Sequence, residues 1–145
     1  MKSVAYYVMS IALFCASISC KVAPEPIAYG TDGCHFCSMT IVDQQHAAEF
    51  VTKKGKVHKF DSIECMMNQL KEEELSQIGL FMVVNYNDPG VMVDAKRSTF
   101  LISNAIPSPM GGFLSAFSNK EEAVMAETGH PGELFSWDQL QERFK

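Results

Sequence analysis

Three times along this chain a glycine leads into a short β-prone stretch, an aromatic residue, a helix-capping residue and a helical segment: from Gly55 to Glu64, from Gly112 to Glu121 and, more weakly, from Gly132 to Gln139. A local order that recurs is the signature of a repeated supersecondary unit, and it restricts the fold more than any single segment does. It predicts an α+β fold of two related ββαβ-like units with largely antiparallel strands. In the first unit, residues 39–42 and 47–52 read as strands, and Val57, His58, Lys59 and Phe60 alternate as a third. Asp61, with Glu64 three residues on, caps a helix running to about Glu74, with Ile63, Met66, Met67 and Leu70 as its apolar stripe. Residues 80–85 read as a further strand. Asn87, Asp88, Pro89 and Gly90 form a strong turn and divide the units at about 30–86 and 87–145. The second unit then holds strands at 91–93, 98–102 and 113–117, a helix opened by Ser118 and a last helix opened by Ser136.

Residues 1–19 read as an export signal: Lys2 is the only charge, and residues 4–14 form an apolar stretch too short to span a bilayer stably. The signal ends in Ala16, Ser17, Ile18 and Ser19 before Cys20, which resembles the lipobox of bacterial lipoproteins. Cys20 is therefore the expected lipidation site. Residues 20–29 form a lipidated tether in which Pro24 and Pro26 fix the backbone, and the domain proper is 30–145. Lys21, where an aspartate would favour retention at the inner membrane, points to the outer membrane, with the domain facing the periplasm.

Beyond the signal the chain has 11 basic and 17 acidic residues, without basic clusters. Such a surface excludes a nucleic-acid partner. With 47% hydrophobic residues the chain has the apolar content of a folded domain.

Outside the cytosol, thiols need a partner or they oxidise. Cys34 and Cys37 stand on a glycine-rich turn, and the Cys-x-x-Cys spacing fits a redox dithiol, half a zinc site, a structural disulfide or a soft-metal site. Zinc wants two further ligands, commonly a second spaced pair, which the sequence lacks. Thioredoxin-like chemistry wants a strand before the pair and a helix after it, and neither is indicated. Softness favours the remaining reading. Met39 lies two residues past Cys37, and Met110 sits in a loop of Ser108, Pro109, Met110, Gly111 and Gly112, where thioethers with thiolates suit Cu(I). Cys34, Cys37, Met39 and Met110 are the candidate metal ligands, and His35 and Cys65 are secondary ones. Met110 also reads as an ordinary loop hydrophobe, Cys65 as a small core residue and His35 as solvated. Met66, Met67, Met82 and Met125 read as core, His58 as packing, and His46 and His130 as surface.

These residues resemble the nitrous oxide reductase accessory lipoprotein family, NosL. Its Cys-x-x-Cys-Gly-Met appears as Cys34, His35, Phe36, Cys37, Ser38 and Met39, with Ser38 in place of the usual glycine. Its phenylalanine-and-acid helix start ending in cysteine appears as Phe60, Asp61, Ser62, Ile63, Glu64 and Cys65, and its Met-Gly loop as Met110, Gly111, Gly112 and Phe113. The resemblance implies paired ββαβ units like those of organomercurial lyase. It also implies a membrane-anchored Cu(I) metallochaperone, not an enzyme, that supplies the copper-sulfide centre of nitrous oxide reductase together with a membrane ABC-type complex. The rival function is an exported thiol-disulfide oxidoreductase using Cys34 and Cys37.

Overall fold

The computed structural model describes residues 21–145; the export segment and Cys20 lie outside the described residues. Seven strands and three helices follow in the order β1 (Ala48–Thr52), β2 (Val57–Phe60), α1 (Ile63–Gln69), β3 (Ile78–Val84), β4 (Met92–Asp94), β5 (Thr99–Ile102), β6 (Leu114–Phe117), α2 (Lys120–Gly129), β7 (Glu133–Ser136) and α3 (Trp137–Arg143). They build two antiparallel sheets, ordered β2-β1-β3-β4 and β6-β5-β7. In each sheet the first strand of a ββαβ run is central, its hairpin partner lies on one side and the strand after the helix lies on the other. The segments β1-β2-α1-β3 and β5-β6-α2-β7 thus share one topology, as the repeated pattern predicts. Among the described residues no helix is long and apolar enough to cross a membrane.

β2 shows the expected alternation, with His58 and Phe60 buried and Val57 and Lys59 half-buried. The stripe of α1 is buried throughout, but its N-cap is Ser62 and not Asp61: the Cys65 amide donates to Ser62 Oγ at 3.1 Å. The helix also stops at Gln69, short of the expected Glu74. Asn119, one residue later than expected, caps α2, accepting from the Glu122 amide at 2.9 Å. Ser136 and Gln139 form the expected capping box of α3.

Five further readings are corrected. Residues 39–42 form no strand, only a single bridge between Gly33 and Thr40, because the chain there doubles back on itself. β4, expected in the second unit, pairs with β3 (Met82↔Asp94, Val83↔Val93, Val84↔Met92). The turn at 87–90 is a hairpin connection: Gly90 takes φ 81, and the Asn85 amide donates to the Val91 carbonyl at 2.9 Å. Met125 is 77% exposed, on the outer face of α2. His46 is buried, its ring 3.0 Å from Asp43 Oδ1 and 3.1 Å from Ser115 Oγ, so it joins the first unit to β6.

The two sheets share a core. Trp137, at the start of α3, packs on Phe81 of the first sheet and Phe100 of the second, with ring centroids 5.1 and 6.0 Å away. Residues 25–28 lie against β1 and β2: the Glu25 amide donates to buried Glu49 at 3.1 Å, and Lys59 Nζ donates to the Pro26 carbonyl at 2.8 Å.

Candidate metal centre

The centre grows from a tight loop and the β2–α1 junction. The Cys34 amide donates to the Met39 carbonyl at 2.7 Å, and the Ser38 amide donates to the Cys34 carbonyl at 3.0 Å, closing the loop on itself. The His35 amide donates to the Lys59 carbonyl at 2.8 Å, which pins the loop to β2. From below, Lys59 Nζ pairs with Asp32 at 2.8 Å. The hydrogen bond from Lys59, then that from the Ala28 amide, holds the Asp32 carboxyl below its ordinary value.

Ser38 has φ 65, in the left-handed region. A residue with a Cβ costs about 1–2 kcal/mol there relative to a right-handed conformation, so this is where the family pattern has glycine. Ser38→Gly is expected to raise stability by about 1 kcal/mol, net of the extra freedom glycine gives the unfolded chain. The midpoint of denaturant unfolding reads this directly, and an unchanged or lower midpoint would show that the loop carries no strain at Ser38.

Pinning the loop to β2 brings it to the first turn of α1. The sulfurs of Cys34, Cys37 and Cys65 and a carboxylate oxygen of Asp61 all lie within 4.8 Å of one another. Cys34, Cys65 and Asp61 are buried and Cys37 is half-buried, so the cluster opens to solvent on the Cys37 side. All three cysteines are free thiols.

The three thiols differ in acidity. Cys34 is lowered to about 6, chiefly because the Cys65 thiol donates a hydrogen bond to its sulfur, with further help from the amides of Cys37, Asp61 and Phe36. Cys65 is pushed far up, first by sharing its proton with Cys34, then by burial and by its hydrogen bond to Asp61. Burial also raises Cys37. Near neutral pH the cluster therefore holds one thiolate beside two thiols, and a soft cation ligated by all three would displace two protons.

Of the residues singled out in the sequence, Cys34, Cys37 and Cys65 come together. His35 stands outside the group, its ring edge-on to His58 with centroids 4.1 Å apart. His58 packs on Phe50 as expected, centroids 4.7 Å apart. The thioethers of Met39 and Met110 lie at the surface, 57% and 41% exposed. The Met110 loop is nevertheless tied to α1 beside the cluster: Ser108 Oγ donates to Glu64 Oε1, the Phe113 amide donates to Ser108 Oγ at 2.8 Å, and the Leu114 amide reaches the same Glu64 oxygen at 3.4 Å. Asp61 is the residue the sequence reading missed, because an acid before a helix reads as a cap. Ser62 immediately after it was the available signal, since two cap-competent residues in succession leave one of them free.

A family model for NosL matches residues 28–144. The copper-binding lipoprotein NosL of Stutzerimonas stutzeri is 23% identical in a 125-position alignment that covers 80% of this chain and 66% of that protein's length. The crystal structure of the copper chaperone NosL from Shewanella denitrificans shares the fold, with a TM-score of 0.72 and 23% identity over 82% of this chain and 96% of that one. Fold, loop and helix-start motifs and the family match agree: the chain belongs to the NosL family.

Proposed function

We propose that this protein is a lipid-anchored Cu(I) carrier, held at a bacterial membrane through Cys20 and facing the periplasm, that delivers copper for the copper-sulfide centre of nitrous oxide reductase. The observation that carries this reading is the convergence of three cysteine sulfurs within 4.8 Å, buried on one side and open on the other. Copper binding by the named relatives supports it, as does the softness of the donors.

Cu(I) meets the exposed thioethers of Met39 and Met110 first and the Cys37 side of the cluster next. The Cys34 thiolate takes the ion, and Cys37 and Cys65 lose their protons as they ligate it. Three thiolates leave a monovalent ion open to one more soft ligand, so a partner's sulfur can bind before the last bond here breaks. The ion passes without being released to solvent. No bond of a substrate changes, so the protein is a carrier and not a catalyst. The reductase and its membrane ABC-type maturation complex are the proposed recipients.

The test is nitrous oxide reductase isolated from cells lacking this gene. It is expected to be copper-depleted, and to recover its copper with the wild-type gene but not with a Cys34→Ser/Cys37→Ser double variant. Fully loaded reductase in the deletion cells would overturn delivery. Disulfide exchange by the purified protein, without tight Cu(I) binding, would favour the thiol-disulfide oxidoreductase instead.

A further inference from the structure

We propose that the β1–β2 turn and the start of the described chain form a membrane-facing corner, in which Lys21, Lys53, Lys54 and Lys56 lie against anionic phospholipid headgroups and fix the orientation of the domain. The inference rests on Cys20 being lipidated, and goes beyond anchoring in assigning the surface that meets the bilayer.

Four of the eleven basic residues beyond the export segment gather at one end of the first sheet. Lys53, Lys54 and Lys56 surround Gly55 in the turn. The Thr52 amide donates to the Lys56 carbonyl at 2.9 Å and the Gly55 amide to the Thr52 carbonyl at 2.8 Å, which closes it. The Lys53 amide donates to the Gln77 carbonyl at 2.7 Å and ties the tip to the entry of β3. All four lysines are exposed, and none takes part in an ion pair among the described residues. Of the acids that precede β3, Glu73 accepts from Gln69 Nε2 at 2.8 Å and Glu74 from Ser76 Oγ at 2.7 Å, so both serve their own segment. On a chain with more acidic than basic residues, the corner is a local patch of unpaired positive charge.

The chain that leads from Cys20 is seated on the same corner. Val22 Cγ1 fills the notch that Gly79 leaves: a Cβ at Gly79 would lie 2.7 Å from it and 3.8 Å from Lys53 Cα. Gly79 has no positive φ, so space and not conformation calls for glycine there. With Glu25 bonded to Glu49 and Pro26 to Lys59, the segment is a docked strap and not a swinging tether. Cys20 stands two residues before Val22, and two residues reach at most about 7 Å. A lipid on Cys20 therefore enters the bilayer within that reach of Val22, beside the lysine tip. A headgroup layer about 5–7 Å deep takes in the tip. From there β2 runs away from the membrane for about 10 Å over its three residue steps, which carries the cysteine cluster beyond the headgroups.

Each lysine near an anionic surface gains about fivefold in partitioning, so the three of the turn contribute roughly 100-fold together. The mature chain, made without its export signal so that Cys20 carries no lipid, is sedimented with vesicles of phosphatidylglycerol and phosphatidylcholine, or of phosphatidylcholine alone. It is expected to bind only the anionic vesicles, at about 0.01 M salt, where the Debye length is about 30 Å, and to leave them at about 1 M, where it is about 3 Å. The Lys53→Gln/Lys54→Gln/Lys56→Gln variant changes exposed side chains alone and is expected to bind roughly 100-fold more weakly. Undiminished binding by the variant, or equal binding of wild type to both vesicles, would overturn the corner. In a second arm, lipidated protein from cells is placed in the anionic vesicles and its lysines are acetylated. Lys53, Lys54 and Lys56 are expected to react several-fold more slowly than in detergent, with Lys120 of α2 unchanged. Equal slowing of all four would overturn the orientation. Cellular protein with Cys20 unacylated would overturn the lipid anchor and the orientation built on it, whereas failure of the vesicle arm with acylated protein would overturn this surface alone.

Discussion

Cys65→Ser lowers Cu(I) affinity by about 100-fold or more, the upper end of what even an outer-sphere partner of a metal ligand contributes. A serine at this position is nearly isosteric, and its hydroxyl still donates to the Cys34 sulfur, so the first turn of α1 and the Cys34 thiolate survive the change. What is lost is a soft donor, because an alcohol oxygen does not replace a thiolate on Cu(I). Met110→Leu keeps the volume of the side chain and removes only a thioether that is 41% exposed. Its equilibrium affinity is expected to stay near wild type, with the effect appearing as slower transfer to a competing ligand. Competition with a Cu(I) chelator measures the first effect, and stopped-flow transfer measures the second. The reverse pattern, with Cys65→Ser binding like wild type and Met110→Leu failing, would place the ion at the surface between the two loops and reduce Cys65 to packing.

That contrast shows what a sequence can and cannot say about this centre. Cys34 and Cys37 announce themselves by spacing. Cys65 does not, since it precedes the buried Met66 and Met67 and looks like one more member of an apolar stripe. The bond from the His35 amide to the Lys59 carbonyl brings the loop to the helix, and that pairing links residues with no sequence signal in common. The fold was more legible where local chemistry decides it. Alternating burial marks β2, and the Ser136–Gln139 box marks α3 to the residue. Local signals fail where the answer depends on which sheet edge is free. β4 follows a strong turn and reads as part of the second unit, yet a hairpin turn returns the chain to the strand it has just left, and β3 offers that edge.

Gly132→Ala destabilises the protein by about 3 kcal/mol or more, at the upper end of overpacking costs, whereas Gly55→Ala costs about 1–2 kcal/mol, the penalty of a left-handed residue. The two glycines open repeated segments and look equivalent in sequence, but their reasons differ. Gly55 takes φ 82 in the β1–β2 turn, so its cost is conformational and local. At Gly132 a Cβ would lie 2.2 Å from the Ile102 carbonyl oxygen and 2.9 Å from Leu101 Cδ1. The first of these is backbone, inside the β5–β7 pairing where Ile102 faces Glu133, so no rotamer change relieves it. β7 is an edge strand, and an edge strand escapes a clash by moving outward. Here it cannot do so freely. Ser136 ends β7 and caps α3, and the next residue, Trp137, is wedged between Phe81 and Phe100. Outward movement of β7 therefore pulls on the ring that joins the two sheets. Thermal unfolding is expected to show a fall of roughly 10 °C or more for Gly132→Ala, given about 3–5 °C per kcal/mol for a domain of this size, and a smaller fall for Gly55→Ala. Equal falls would mean that β7 yields without disturbing Trp137, and that the second sheet is held to the first by contacts other than this ring.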